Sequence, residues 1–162
     1  MNDNPNIRAL TLRPDYRQYI IAQMPSILLA LVMIVCFFMD FFGLRLCFLI
    51  VDLFIITLLI CQAFYLMRVR YTISKEQIIY MHGILYHETD FMELYRVVDY
   101  QEKRSFMQQM LGLKDVVIFS MDRNLPRLTM TGMKEELNLI EVIRQRVEFN
   151  KHQKGIYEIT NR

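Results

Sequence analysis

The sequence of 162 residues lacks the short motifs that mark common catalytic and nucleotide-binding sites. Its 5 glycines stand at positions 43, 83, 112, 132 and 155, too far apart for a G-x-G-x-x-G or Walker phosphate-binding loop. The sequence has no G-x-S-x-G, H-E-x-x-H or C-x-x-C motif, which are the patterns of hydrolase nucleophiles, zinc proteases and redox dithiols. We therefore expect a protein without catalytic residues, cofactor or metal.

Cysteine is also scarce, since the chain has 3 cysteines and all of them lie in apolar segments. Because the more polar part has none, the chain lacks the framework of a disulfide-stapled secreted domain and fits a reducing cytosol. We interpret Cys36, Cys47 and Cys61 as small residues buried in lipid. A bridge between Cys36 and Cys47 near the outer surface is the less favoured alternative.

Charge of either sign is not in excess, with 19 Lys and Arg against 17 Asp and Glu. Proteins that bind nucleic acid usually carry an extended basic face, so we expect no nucleic-acid partner. The charges are unevenly placed, because residues 19–67 contain almost none, whereas residues 68–162 mix charged and apolar residues as a soluble domain does. The chain therefore divides into two parts.

Two apolar runs, 19–42 and 46–67, are each long enough to cross a bilayer, for which a helix needs about 20 mostly apolar residues. Only a short turn separates the two runs. The predicted parts are a cytoplasmic N-terminal segment, a transmembrane helical hairpin, a folded domain and a C-terminal tail, at residues 1–18, 19–67, 68–150 and 151–162.

Basic side chains cluster on the side of the hairpin that carries both chain ends, whereas the turn offers only Arg45, with Asp40 nearby. By the positive-inside rule, both termini are cytoplasmic. Once the hairpin closes, a group of these cations should meet at the inner surface, where each could strengthen contact with anionic lipid by about 1 kcal/mol. The group consists of Arg13, Arg17, Arg68, Arg70 and Lys75. Orientation of the hairpin alone is the other explanation.

Three polar residues inside the predicted spans are candidates for intramembrane contacts. Asp52 lies about 9 Å into the membrane at the helical rise of about 1.5 Å per residue, and an ionisable group at that depth should face protein or water. We expect Asp52 to pair with Arg45 or with the helix of Ser26, or to contact another subunit. Gln23 and Gln62 occupy similar depths on opposite helices, so they could hydrogen-bond across the hairpin.

Beyond residue 70, short segments rich in β-branched and aromatic residues alternate with turn signals. The predicted strands cover residues 71–73, 77–82, 85–90, 93–102, 115–121 and 127–131, with a hairpin turn at Gly83-Ile84. From Gly132 the apolar spacing becomes helical, and one stripe contains Met133, Leu137, Ile140, Ile143 and Val147. This order predicts an α+β fold in which an amphipathic helix covers an open end or face of a small, curved sheet.

His82 and His87 are the closest approach to a metal site. If Gly83-Ile84 forms the turn, both side chains lie on the same sheet face in diagonal register. Neighbouring strand residues alternate faces, which would send Glu88 away, and two ligands do not make a zinc site. We expect two partly exposed histidines.

Several local strings resemble one known family. They are Tyr71-Thr72-Ile73-Ser74, His82-Gly83-Ile84-Leu85, Phe91-Met92-Glu93-Leu94, Leu111-Gly112-Leu113, Leu128-Thr129-Met130-Thr131-Gly132, and Arg13-Pro14 before a two-helix hairpin. In these features the chain resembles the membrane-anchored bacterial pleckstrin-homology (PH) domain proteins of the YdbS-like type. The resemblance implies a seven-stranded, strongly bent sheet, a β-roll capped at one end by the C-terminal helix, on the inner face of a bacterial membrane. It implies no catalytic residues.

Three classes of function fit these features. The preferred one is a non-enzymatic interaction or scaffold module at the cytoplasmic face of the bacterial inner membrane, with a protein partner or a second copy of itself. The second is a module that senses anionic membrane lipid. The third is a small subunit of a membrane enzyme or transport complex, for which Asp52 is the only indication, because two helices are too few for a transport pathway unless they oligomerise.

Overall fold

The structure is a computed structural model that describes residues 8–39 and 43–155. Two long helices, α1 (Tyr16–Phe38) and α2 (Arg45–Arg68), form an antiparallel hairpin. Both helices are long and apolar enough to cross a membrane. Each begins or ends within a few residues of its predicted limit, but the predicted outer end of the first span, at residues 40–42, lies outside the described residues.

The first sheet contains strands from both sides of the hairpin. Strands β1 (Leu10–Leu12), β2 (Arg70–Ile73), β3 (Gln77–His82) and β4 (Glu88–Glu93) pair antiparallel in that order. Strand β1 was not predicted, because its three residues give too short a pattern to recognise. The hairpin is therefore an insertion between two adjacent strands, and the segment before it belongs to the folded domain.

The second sheet has three antiparallel strands, β5 (Val97–Lys103), β6 (Leu113–Ser120) and β7 (Arg127–Lys134). A 3-10 turn (Leu94–Arg96) precedes β5, where the sequence predicted continuous strand. A short helix, α3 (Phe106–Met110), was not predicted, although Ser105 and Gln108 form a capping box at its start. We call the two sheets, together with α3 and the C-terminal helix α4 (Leu139–Gln153), the sheet domain.

Helix α4 (Leu139–Gln153) begins seven residues later than predicted. Met133 is buried in strand β7 and not in the helical stripe. The later part of the stripe is correct, since Ile143 and Val147 are buried and Ile140 packs against the core, but Leu137 precedes the helix and is 37% exposed. A strand with an irregular register can mimic helical spacing over a few residues, and β6 and β7 shift register near Lys114.

The core lies between the two sheets and under α4. Its fully buried residues come from every part of the sheet domain, and include Ile73, Ile78, Met92, Leu94, Val116, Ile118, Met130, Leu139 and Ile143. The predicted α+β fold is thus confirmed: seven strands in two sheets and a C-terminal helix, consistent with a PH-like fold. We call the end of the sheet domain that joins α1 and α2 the hairpin end, and the end covered by α4 the far end.

The connection between β3 and β4 is longer than the predicted two-residue turn. Strand β4 begins at Glu88 instead of residue 85, so residues 83–87 form a loop. Gly83 has a positive φ of 106°, and an added Cβ would lie 1.9 Å from the carbonyl oxygen of Tyr86. The tight fold of this loop onto its own backbone therefore requires glycine at its start.

Candidate functional site

At the hairpin end, a buried polar network joins the first turn of α1 to the second sheet. The backbone N–H of Asp15 donates to the Gly132 carbonyl at 2.9 Å, and the Gly132 N–H donates to the Asp115 carboxylate at 2.9 Å. The Gln108 side chain, 3% exposed, donates to Asp115 at 2.7 Å and to Gln18 at 3.1 Å. Buried polar groups that are satisfied in this way fix one relative position of the elements they join.

Gly132 lets this network close. Its φ is +63°, and an added Cβ would lie 2.5 Å from Cβ of Gln18. No other residue type fits there without moving α1. The Arg17 guanidinium donates to the Leu111 carbonyl at 3.3 Å, so this predicted lipid-contact residue lies against the end of α3.

Helix α2 joins the first sheet through aromatic side chains. Val69, which follows α2, is 3% exposed, and Tyr65 packs against the core. Tyr71 and Tyr80 stack with ring centres 5.0 Å apart, and Tyr80 stacks on His82 at 4.4 Å. Burial raises the pKa of both tyrosines, so their rings stay neutral. The stack extends from the core to a cleft at the surface, and His82 forms part of the wall of that cleft.

That cleft, about 210 Å³ in volume, lies where α2 ends. It is lined by Arg68, Arg70, Met81, His82, Gly83, His87, Glu88 and Thr89. Arg68 Nη1 lies 2.8 Å from His87 Nε2. A guanidinium only donates hydrogen bonds, so His87 Nε2 is the acceptor in this contact. The contact joins the Arg68 side chain at the end of α2 to the β3–β4 loop.

The two histidines are not in the predicted diagonal register. His82 stands opposite Glu88 in the β3–β4 pairing, whereas His87 lies in the loop. The Nε2 atom of His82 lies 3.1 Å from the Asp90 carboxylate and 3.7 Å from that of Glu88, so the prediction that Glu88 points away is wrong. Within residues 8–39 and 43–155, no three His, Cys, Asp or Glu side chains form a group that could hold a metal ion.

The five predicted lipid-contact cations do not all meet. Arg13 is exposed in the connection between β1 and α1, and Arg68 and Arg70 share the cleft. Lys75 instead lies at the far end, because β2 runs away from the hairpin. Its carbonyl accepts a hydrogen bond from the Asn150 side chain at 2.7 Å, and its Nζ lies 5.7 Å from the ring centre of Phe149 on α4.

The polar residues of the hairpin are placed differently from one another. Gln23 is half-buried and Gln62 is exposed, and in the described part of the chain no hydrogen bond joins them. The helices are linked instead by Tyr19, whose hydroxyl donates to the Leu59 carbonyl at 2.8 Å. The position of Tyr19 opposite the middle of α2 could not be read from sequence spacing.

Asp52 is half-buried, and its Oδ1 atom is a buried oxygen without a hydrogen-bond partner. Its predicted partner Arg45 lies with the guanidinium carbon 4.6 Å from the ring centre of Phe37, and the ion pairs of the described residues do not include one between Arg45 and Asp52. Cys36, Cys47 and Cys61 are free thiols. Asp52 therefore keeps an unmet requirement for a hydrogen-bond donor.

The family comparison agrees with this architecture. The family model described as bacterial PH domain matches residues 19–147. The chain therefore belongs to the bacterial PH domain family, whose domains generally act as non-enzymatic modules that bind lipid or protein. No curated protein and no solved structure matches the chain. Membership of the YdbS-like type stays a prediction.

The residues that sequence reasoning missed are those of the polar network. The capping box of Ser105 and Gln108 was readable as Ser-x-x-Gln, and it would have revealed α3. The convergence of Gln18, Asp115 and Gly132 had no local signal, because these residues are far apart in the chain and meet only in the folded protein.

Proposed function

We propose that this protein is a non-enzymatic interaction module that is anchored in the bacterial inner membrane by its hairpin. Both termini face the cytoplasm, and the hairpin assembles with a protein partner or with a second copy of the chain. The polar network around Gly132 supports the anchoring, since it joins α1 to the second sheet through direct hydrogen bonds. The sheet domain would then stand in one orientation over the inner leaflet, available for binding.

The proposal of assembly rests on the carboxyl group of Asp52. Its Oδ1 lacks a hydrogen-bond partner, although the residue lies within a helix of mean hydropathy 2.5. A polar atom in hydrocarbon without a partner costs several kcal/mol, roughly 2–7 by transfer measurements. The Oδ1 atom itself is covered, but Asp52 as a residue is half-exposed at the edge of the hairpin, so a rotation of its carboxyl group would present it to a donor from another helix.

The test compares the parent with Asp52→Asn and Asp52→Leu in the purified, detergent-solubilised chain. Sedimentation velocity of the purified chain and chemical cross-linking in native membranes would each report the size of the assembly. Asp52→Leu should shift it to smaller species because the specific contact is lost, whereas Asp52→Asn should be tolerated if a hydrogen bond suffices.

The matched control is Thr57→Ala on the same helix. Thr57 donates within its own helix, to the Leu53 carbonyl at 2.8 Å, so its loss should leave assembly unchanged. Assembly of the Asp52→Leu variant equal to that of the parent would remove the support for an intramembrane contact. A cytosolic reporter fused after Arg162 tests the orientation independently, and an exported, inactive reporter would contradict it.

A second candidate function, sensing of anionic lipid by the sheet domain, is favoured by the cleft that contains Arg68 and Arg70. A soluble form would test it by salt-dependent binding to vesicles. Residues 71–162 alone are unsuitable, because they lack β1. Leu12 pairs with Tyr71, so a short glycine and serine linker that replaces the hairpin but retains Arg68 would preserve both the sheet and the two arginines of the cleft.

A further inference from the structure

The β3–β4 loop lies beside the apolar part of α2. Ile84 lines a groove of about 320 Å³ together with Leu58, Cys61, Gln62 and Tyr65 of that helix. Cys61 precedes the end of α2 at Arg68 by about 10 Å along the helix axis, at about 1.5 Å per residue. The loop therefore extends alongside the segment that crosses the membrane and past the level of the basic side chains.

The tip of the loop carries apolar side chains that the protein does not cover. Leu85 is 88% exposed and Tyr86 is 83% exposed. Apolar side chains at the level of a membrane span gain by entering hydrocarbon, and a tyrosine ring is favoured at the interface between hydrocarbon and headgroups. The position and the composition of the loop agree with insertion into the inner leaflet.

The basic cleft and the apolar groove adjoin each other at this loop. Gly83 lines the cleft, and the next residue, Ile84, lines the groove. The cleft is level with the end of α2, where the headgroups of the inner leaflet would lie, and the groove runs from there toward the membrane. A cationic cleft followed by an apolar groove is complementary to a phospholipid, in which a phosphate is followed by acyl chains.

The charges of the cleft favour a headgroup with one negative charge. Among the described residues, the Arg70 guanidinium has no hydrogen-bond or ion-pair partner, and the Arg68 guanidinium contacts the His87 imidazole but no carboxylate. Glu88 is the carboxylate that lines the cleft. One of its oxygens lies 3.7 Å from His82 Nε2, which also contacts the Asp90 carboxylate. Two arginines against one carboxylate leave a net charge of about +1, which a phosphodiester would balance.

We propose that the cleft binds the phosphodiester of an anionic inner-leaflet phospholipid through Arg68 and Arg70. One acyl chain of this lipid lies in the groove beside Ile84, and Leu85 and Tyr86 enter the leaflet next to it. The proposal shares the membrane anchoring with the proposed function, but it does not depend on Asp52 or on assembly.

Insertion of the loop is testable because the chain has no tryptophan. Tyr86→Trp would introduce a single fluorophore at the loop tip, in full-length protein reconstituted in vesicles. Lipids with brominated acyl chains should quench it, and its emission should shift to shorter wavelength. The control is Met121→Trp, at an apolar side chain that is 77% exposed at the far end, and its fluorescence should be unaffected. Equal, weak quenching of both variants would overturn the insertion.

The headgroup site is tested by native mass spectrometry of the full-length chain titrated with phosphatidylglycerol. Arg68→Gln with Arg70→Gln should weaken retention of the lipid by about fivefold for each arginine removed. The control is Arg123→Gln with Arg144→Gln, which removes the same charge from exposed positions outside the cleft. Equal retention by the two double variants would refute the site.

The same titration identifies the source of the phosphate group. Phosphatidylcholine should be retained more weakly than phosphatidylglycerol, and millimolar inorganic phosphate should not displace the bound lipid. Displacement by inorganic phosphate would show a site for the free anion, and equal retention of both lipids would show a site without charge selectivity; either result would overturn the proposal. Asp52→Leu should leave lipid retention intact, so a failure of the assembly proposal is distinguishable from a failure of this one.

Discussion

The two ends of the sheet domain are held together by different kinds of contact. At the hairpin end, Gln108 and Asp115 form a polar network with the first turn of α1. At the far end, α4 covers an apolar core, and Ile143 and Leu139 are almost entirely buried. Apolar burial supplies most folding energy without fixing direction, whereas hydrogen bonds depend on direction. The far end should therefore determine stability and the hairpin end orientation.

One charged residue at the far end departs from this division. Arg146 is 9% exposed and donates hydrogen bonds to the carbonyls of Ile73, Ser74 and Arg8. Burial lowers the pKa of its guanidinium, but arginine remains charged at any ordinary pH. Arg8 precedes the hairpin and Ile73 follows it. The Arg146 side chain, which projects from α4, therefore links the segment before β1 to the end of β2 by hydrogen bonds.

The largest effect is expected from breaking the apolar far end. Ile143→Ala removes a side chain with no exposed surface and should lower the free energy of unfolding by about 3–4 kcal/mol, because the cavity adds to the lost burial. Thermal unfolding of the detergent-solubilised protein, followed by circular dichroism, would measure it. The control Ile56→Ala, on a half-exposed position of α2, should change the melting temperature much less. A small loss in both would contradict the assignment of stability to α4.

Breaking the polar contact at the far end should cost somewhat less. Arg146→Met keeps the length and apolar stem of the side chain but leaves buried carbonyls without a donor, at about 2–3 kcal/mol. Strand β1 should loosen first, which hydrogen exchange of the Leu10 to Leu12 amides would show. Arg144→Met, at an exposed position on the same helix, is the matched control. Protection of β1 that is unchanged by Arg146→Met would exclude this linking role.

At the hairpin end, Gly132→Ala should disturb orientation more than stability. It should cost more than the intrinsic penalty of a positive φ, which is about 1–2 kcal/mol, because the new Cβ meets Gln18. Gly112→Ala isolates this excess, since Gly112 has a φ of +64° and open space where its Cβ would lie. Faster exchange of the Asp15 amide, which donates to the Gly132 carbonyl, should accompany only Gly132→Ala. Equal behaviour of the two variants would mean that the network does not depend on close approach of α1.

Much of this architecture was predictable because its signals are local. Long apolar runs predict the two helices of the hairpin, and alternation with turn residues predicts most strands. Strand β1 was not predicted because Leu10–Leu12 gains its extended conformation only by pairing with β2. The start of α4 was misplaced because the buried Met133 satisfies the helical period by coincidence. Both errors arise where tertiary contacts decide the local structure.

The candidate sites were less predictable than the fold. Arg68 and Arg70 stood out in the sequence as cations beside a span, and the structure brings them into one cleft. Lys75, grouped with them by distance along the chain, lies at the opposite end, because β2 separates them. The role of Ile84 beside α2 had no sequence signal at all, since it depends on the length of the β3–β4 loop and on where that loop lies against the helix.

The smallest expected effect concerns pH at the hairpin end. Hydrogen bonding from Arg104, followed by Lys114, lowers the pKa of Glu102 from 4.5. A carboxyl group with a lowered pKa stabilises the fold above its unfolded pKa, and this contribution is lost as the pH falls through the folded value. Glu102→Gln should therefore reduce stability by about 1 kcal/mol or less at pH 7, and the difference should decline as the pH falls below 4.5. The control is Glu148→Gln, at an exposed position of α4, and its stability should depend on pH as that of the parent does. A difference between Glu102→Gln and the parent that stays constant at all pH values would mean that the packing of Glu102, and not its charge, stabilises the fold.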